Sequence, residues 1–126
     1  GIPVTKRGIS ESFWVITGTT SSGKLSKDLH LAARSTATVV VLMGTRKLPE
    51  IVSCFHNAGK STTPIAIIQS GTTTEEKVVA GLIEDIEQKA EISGIGAPAV
   101  IIIGEVVRES AKLMEIYQEA VYSQMP

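Results

Sequence analysis

Thr36-Ala37-Thr38-Val39-Val40-Val41-Leu42-Met43-Gly44 is the stretch that decides the fold. Its β-branched residues are stiff at χ1 and suit a pleated surface. The run is apolar without alternation, so it reads as the strongest buried strand of the chain, closed by Gly44. Just downstream, Pro49 suits a helix first turn, and Ile51, Val52, Phe55 and Ala58 have helical spacing. Gly59 is that helix's natural stop. Just upstream, Lys27–Arg34 fits a short helix with Leu29, Ala32 and Ala33 inward. Phe13–Thr17 is a short strand closed by Gly18, and Thr19–Lys24 is a loop of small residues. Pro64–Gln69 is another apolar strand with Gly71 beyond it, and Pro98–Ile103 is the last, followed by Gly104. Strands that alternate with helices argue an α/β layer fold. At the far ends, residues 1–12 read as a linker or arm. Arg108–Gln124 repeats Leu113, Ile116, Ala120 and Val121 and reads as a final amphipathic helix.

Thr72–Ser93 admits two readings. Thr73 with Glu76 is a capping-box pattern, and Val78, Val79, Leu82, Ile83, Ile86 and Ala90 fall on one helical stripe. That predicts one long helix. Yet Val78–Leu82 equally suits a short strand, and Gly81 weakens a helix by about 1 kcal/mol against alanine. Periodicity does not choose between them.

Composition bounds the function. The 126 residues suit one domain, able to bury roughly two thirds of its unfolded surface. The 43% apolar share excludes a disordered chain. Phe13, Trp14, Phe55, Tyr117 and Tyr122 are the only aromatics, too few for base-stacking platforms, so no nucleic-acid partner is expected. Cys54 is the only cysteine, which excludes an intrachain disulfide and a cysteine zinc cage. No apolar run approaches a membrane span, and the first residues lack a leader's apolar core, so a cytoplasmic location is expected. The formal charge of −1 hides an asymmetry. Residues 1–63 carry eight basic groups against three acids, and residues 64–126 carry four against ten. This is either an anion-facing edge or a set of solvated helix faces that balance within the fold.

Few motifs carry chemistry. Gly18-Thr19-Thr20-Ser21-Ser22-Gly23-Lys24 has phosphate-loop spacing after a strand, but Leu25 stands where a magnesium-binding Ser or Thr belongs. Cys54 lies among Ile51, Val52 and Phe55 and reads as a buried thiol. His30 and His56 make no metal-ligand spacing, and Glu75-Glu76 and Glu84-Asp85 read as solvated faces. No catalytic residue and no metal site are expected. The strand-closing glycines Gly18, Gly44, Gly71 and Gly104 either punctuate turns or mark an edge where backbone approaches a ligand, as open α/β sheets do at strand carboxyl ends.

Motif order then points to a family. Gly1–Gly8 resembles the G-I-P-x-T-H-R-G segment between the two domains of the tetrapyrrole methylases. Phe13–Gly18 resembles their V-T-x-V-T-G-H strand, and Leu42-Met43-Gly44 their Y-M-G. Pro64–Thr72 resembles P-x-A-x-V-x-x-G-T, and Pro98–Val107 resembles P-A-L-I-I-V-G-E-V-V. The likeness covers about residues 1–107 and is closest to the members that methylate uroporphyrinogen III. Lys6, Thr19 and Leu42 depart from the usual histidine, histidine and tyrosine. The family's amino-terminal G-x-G-P-G-D loop and main substrate cleft are not in this sequence.

The resemblance implies a carboxyl-terminal domain with a mixed, about five-stranded sheet flanked by helices in a three-layer-like arrangement. It implies a linker at 1–12, the α/β domain at 13–107 and a helical tail at 108–126. It also chooses a strand near Lys77–Leu82 followed by a helix to about Ser93. S-adenosylmethionine is the implied cofactor, leaving as S-adenosylhomocysteine. Met43 and Gly71 are the implied contacts, with Ala66 and Thr72 as neighbours. The implied reaction is two methyl transfers to pyrrole carbons of uroporphyrinogen III, giving precorrin-2 without a metal. The substrate would be held through the missing amino-terminal domain, and a homodimer is expected. A methylase for another substrate, or a nucleotide-binding domain using Gly18–Lys24, are the alternatives.

Overall fold

The structure is a computed structural model and describes residues 2–110. Five strands alternate with three α-helices: β1 Phe13–Thr17, α1 Asp28–Arg34, β2 Thr38–Leu42, α2 Leu48–Asn57, β3 Pro64–Gln69, β4 Lys77–Leu82, α3 Ile86–Ser93 and β5 Ala99–Ile103. Single 3-10 turns occupy Thr45–Lys47 and Glu105–Glu109. The strands form one mixed sheet in the order β1-β2-β5-β3-β4. β1 and β2 are parallel, and β5 is antiparallel to both β2 and β3. β3 and β4 form an antiparallel pair. Hence β1, β2 and β3 run one way, and β4 and β5 run the other.

The sequence signals act locally as physics requires. α2 has Pro49 in its first turn and ends in a left-handed glycine, Gly59, at φ 78°. Its last carbonyls are satisfied by Gly59 N–H to His56 and Lys60 N–H to Phe55, a Schellman arrangement. α1 buries Leu29, Ala32 and Ala33. Thr72–Ser93 resolves into strand then helix. Gly81 fits there because a Cβ would lie 2.5 Å from Asp85 Oδ1. That carboxylate accepts the Leu82 N–H at 2.8 Å and ends the strand.

The capping-box expectation is corrected. Thr73 and Glu76 lie in the β3–β4 turn, not at a helix start. Thr73 Oγ1 donates to the Ser70 carbonyl at 2.6 Å, and Glu76 accepts the Thr72 N–H at 3.3 Å. The same side chains satisfy exposed backbone groups, but those of a hairpin.

The core sits on one face of the sheet. Val39, Val41, Ile65, Ile67, Ile101 and Ile103 project there and meet Leu29 and Ala33 of α1, Ile51 and Phe55 of α2 and Ile86 of α3. Ala66, Ala80 and Ile102 project to the other face, where Val107 and Ile2 pack on them. Among the described residues, the α-helices all pack on the first face. The expected helix over Arg108–Gln124 falls largely outside the described residues; Arg108 and Glu109 end the second 3-10 turn.

Candidate functional site

Strand direction selects the edge where chemistry can collect. The carboxyl ends of β1, β2 and β3 share one end of the sheet with the segment leading into β5. There Ser70 N–H donates to the Pro98 carbonyl at 3.0 Å, and Gly96 N–H donates to Gln69 Oε1 at 2.9 Å. Of the two readings left open for the strand-closing glycines, a shared edge fits Gly18, Gly44 and Gly71 but not Gly104. β5 is antiparallel to its neighbours, so Gly104 lies at the opposite end of the sheet.

This rim is built on tight backbone packing. A Cβ on Gly18 would come within 2.5 Å of the Gly44 Cα, and a Cβ on Gly44 within 2.6 Å of Val41 Cγ1. Both positions need the absence of a side chain, so the β1 and β2 ends close on each other. Gly18 N–H donates to the Leu42 carbonyl at 2.6 Å, and Thr19 Oγ1 donates to the Met43 carbonyl at 3.0 Å. Just past the strand ends, Met43, Ser70 and Thr72 adopt left-handed backbone, at φ 53°, 52° and 65°. None is glycine, and such conformations cost of order 1–3 kcal/mol each. They are the only positive-φ non-glycine residues among those described. All three lie on this rim.

Met43 is 66% exposed, so it presents its thioether at the rim instead of packing in the core. Gly71 and Thr72 are exposed beyond β3, and the Glu76 carboxylate, which accepts the Thr72 N–H, lies beside them. Met43 and Gly71 are separated by β5, about 10 Å at two strand spacings. Ala66 is placed elsewhere. It is fully buried in mid-strand, opposite Ala80 and Ile102, on the sheet's second face. The structure therefore brings Met43, Gly71 and Thr72 to one edge and leaves Ala66 behind it.

Gly18–Lys24 does not form a phosphate cradle. Thr20 N–H donates to the Lys24 carbonyl and Gly23 N–H to the Thr20 carbonyl, both at 2.9 Å. The turn bonds these amides to itself, and α1 starts only at Asp28. No group of three potential metal-ligating side chains occurs among the described residues. No described helix is long and apolar enough to cross a membrane.

One juxtaposition escapes the sequence. Cys54 Sγ lies 3.5 Å from His30 Nδ1, across α1 and α2 and 24 residues apart. Burial pushes the Cys54 thiol pKa up, which disfavours the thiolate. At the opposite end of the sheet a cleft of about 260 Å³ is lined by Arg34, Ser35, Thr38, Lys60 and Gly104 among others. Burial lowers the Lys60 amine, which donates to the Ser35 carbonyl and lies 5.9 Å from the Phe55 ring centre.

The fold and rim define a class: a mixed-sheet α/β domain whose strand ends carry left-handed backbone and an exposed methionine. Comparison with known proteins gives the class its family. The profile of the Tetrapyrrole (Corrin/Porphyrin) Methylases matches residues 1–87. A uroporphyrinogen-III C-methyltransferase of Methanocaldococcus jannaschii is 40% identical over 109 residues, covering 85% of this chain and 45% of that protein. A siroheme synthase of Methylobacillus flagellatus is 39% identical over 115 residues, covering 90% of this chain and 24% of that protein. The crystal structure of a uroporphyrin-III C-methyltransferase from Thermus thermophilus, complexed with S-adenosylhomocysteine, superposes with a TM-score of 0.76 at 32% identity. It covers 86% of this chain, which spans 48% of that one. The chain belongs to the tetrapyrrole methylases. It spans about half the length of the methyltransferases of Methanocaldococcus jannaschii and Thermus thermophilus, and about a quarter of the siroheme synthase and of a longer methyltransferase from Bacillus subtilis.

Proposed function

We propose that this chain is the carboxyl-terminal, cofactor-lining half of an S-adenosylmethionine-dependent uroporphyrinogen-III C-methyltransferase. The observation that carries the reading is the strand-end rim: left-handed Met43, Ser70 and Thr72 with an exposed methionine and an exposed Gly71. A methionine side chain offers a soft, polarizable surface to an adenosine or thioether group. A glycine at a strand end lets backbone N–H approach the edge of a base. Met43, Gly71 and Thr72 would hold the nucleoside, with Ala66 supporting β3 from behind. When bound, the cofactor supplies an already activated methyl group. The task left to this chain is to orient the nucleoside and exclude water.

The rest of the reading extends the family resemblance. Uroporphyrinogen III is the substrate, held through an amino-terminal domain preceding residues 1–12, and two methylations give precorrin-2. The linker is 1–12, the methylase domain 13–107 and the tail 108–126. The whole protein is a cytoplasmic homodimer. Methyltransferase names and the siroheme route among the relatives support the class of reaction.

Titration with S-adenosylhomocysteine tests this. The 126-residue chain should bind at roughly millimolar affinity or weaker, about 4 kcal/mol or less, because half the contacts must offset the full loss of ligand freedom. Fusing the amino-terminal half of a relative should restore micromolar binding. Micromolar binding or methyl transfer by the chain alone, or a preference for ATP, would overturn the half-site reading.

A further inference from the structure

The rim residues Met43, Gly71 and Thr72 are uncharged, so they leave the basic excess of residues 1–63 unexplained. Two of those bases, Arg34 and Lys60, line the cleft of about 260 Å³ at the opposite end of the sheet. α1 ends at Arg34, and Lys60 follows Gly59 just beyond α2. The packing of the two helices therefore brings both side chains to one opening.

Neither base is paired with a carboxylate among the described residues. Lys60 donates to the Ser35 carbonyl, a neutral acceptor, and lies against the Phe55 ring. An ammonium has three donors, so N–H groups remain for a ligand. Lys60 is half-buried, and an anion beside it would offset the burial that now disfavours its charge. Arg34 is exposed and carries a planar fork that matches two oxygens of a carboxylate or phosphate. Glu105 is the acid that lines the cleft, and its Oε2 is already held by Arg108 Nε at 3.1 Å. Ile9, Phe55 and Ile103 add apolar lining. The volume falls below the roughly 300–1,000 Å³ of drug-sized ligand pockets, which limits an occupant to a few heavy atoms.

We propose that this cleft binds a small organic oxyanion, a carboxylate or a phosphate monoester, with its charged head between Arg34 and Lys60 and a short apolar body against Phe55 and Ile103. The site stands at the other end of the sheet from the rim, so it holds or fails without the cofactor reading.

Amide NMR titration of the 126-residue chain tests it, with butyrate, ethyl phosphate and inorganic phosphate as probes and ionic strength held constant with sodium chloride. Butyrate or ethyl phosphate should shift the Thr36, Thr38 and Gly104 amides and saturate at roughly millimolar concentration, while Met43 and Gly71 stay still. Arg34→Gln should weaken that binding about tenfold. Arg34 is exposed, so this variant keeps the fold. Lys60→Gln should weaken binding as well, and Lys60→Arg, which keeps the charge, should retain most of it. Tighter butyrate assigns a carboxylate and tighter ethyl phosphate a phosphate monoester, and either supports the site. Inorganic phosphate binding as tightly as both would mean an adventitious ion only and overturn the proposal. Shifts that never saturate, or binding unchanged in Arg34→Gln, would also overturn it.

Discussion

Gly44 and Gly104 each close a buried strand of the same sheet, yet they stand at opposite ends of it and for different reasons. At the rim, Gly18 and Gly44 are needed for space, because any Cβ would collide with backbone or Val41. At the far end, Gly104 sits at φ 151°, where side chains rarely go, while the nearest atom to a Cβ is an ordinary 3.5 Å away. The polar groups differ as well. Beneath Gly104, Thr38 is buried and its hydroxyl donates to Ser10 Oγ at 2.9 Å. Ser10 Oγ also accepts the Thr38 N–H and donates to the Ser12 carbonyl at 3.0 Å. At the far end these buried polar groups are therefore satisfied beneath the cleft. The rim is exposed and keeps three non-glycine residues in left-handed backbone. Left-handed backbone at non-glycine residues costs stability, and the proposed cofactor site is where this chain bears that cost.

This contrast can be broken by mutation. The largest expected effect is on rim packing: Gly18→Val should cost about 3 kcal/mol or more, since the collision is with backbone. A thermal melt lying within a few degrees of the native chain would show that the β1 and β2 ends are not locked together. Next is Ser10→Ala at the far end. It strips the buried Thr38 hydroxyl of its acceptor and should cost about 1–3 kcal/mol by urea titration. Cofactor affinity of a protein carrying both domains should not move. A parallel loss of affinity would mean the two ends are coupled.

Met43→Asp has the opposite signature. Aspartate tolerates left-handed backbone and Met43 is largely exposed, so stability should change by about 0.5 kcal/mol or less. S-adenosylhomocysteine affinity of the two-domain protein should fall about tenfold, or 1.4 kcal/mol. Equal binding by the variant would remove Met43 from the site.

The smallest effect separates both ends from the helical layer. Cys54 holds its proton more tightly folded than unfolded. Stability should therefore be flat below the ordinary thiol range, about pH 8.5, and fall as pH rises above it until the folded pKa is passed. Cys54→Ala should remove that slope. A slope unchanged by the substitution would place its origin elsewhere.

How much the sequence revealed depends on the range of each interaction. α2 was legible at both ends because Pro49 and Gly59 act on their own backbone. β2 was legible because Val39, Val40 and Val41 leave no polar face for a helix. The strand over Lys77–Leu82 was not, since Val78, Val79 and Leu82 satisfy a helical stripe equally well. Only family likeness chose correctly there. Gly104 misled because a strand's direction depends on its partners, and nothing in Ala99–Ile103 records that β5 runs against β2 and β3. The geometry of the proposed site was legible in part only. Met43 and Gly71 were marked by motif, but the left-handed turn that lifts Met43 out of the core was not. Neither was the burial of Ala66, which depends on Val107 arriving from the far side. The contact of His30 with Cys54 needs two helices to pack and has no local signal.

The strand order also dictates when this domain can come into being. Among the described residues β5 is the last strand made, yet it sits at the centre, between β2 and β3. Before Ala99–Ile103 leaves the ribosome, the nascent chain can form only two separate two-stranded ladders, each marginal in water. Synthesis at roughly 5–20 residues per second leaves their unpaired inner edges waiting for seconds. During that interval Val39–Leu42 and Ile65–Ile68 are templates for any passing strand. A messenger with a slow codon run just before Ala99 would lengthen the wait, and the yield of folded protein would report the loss.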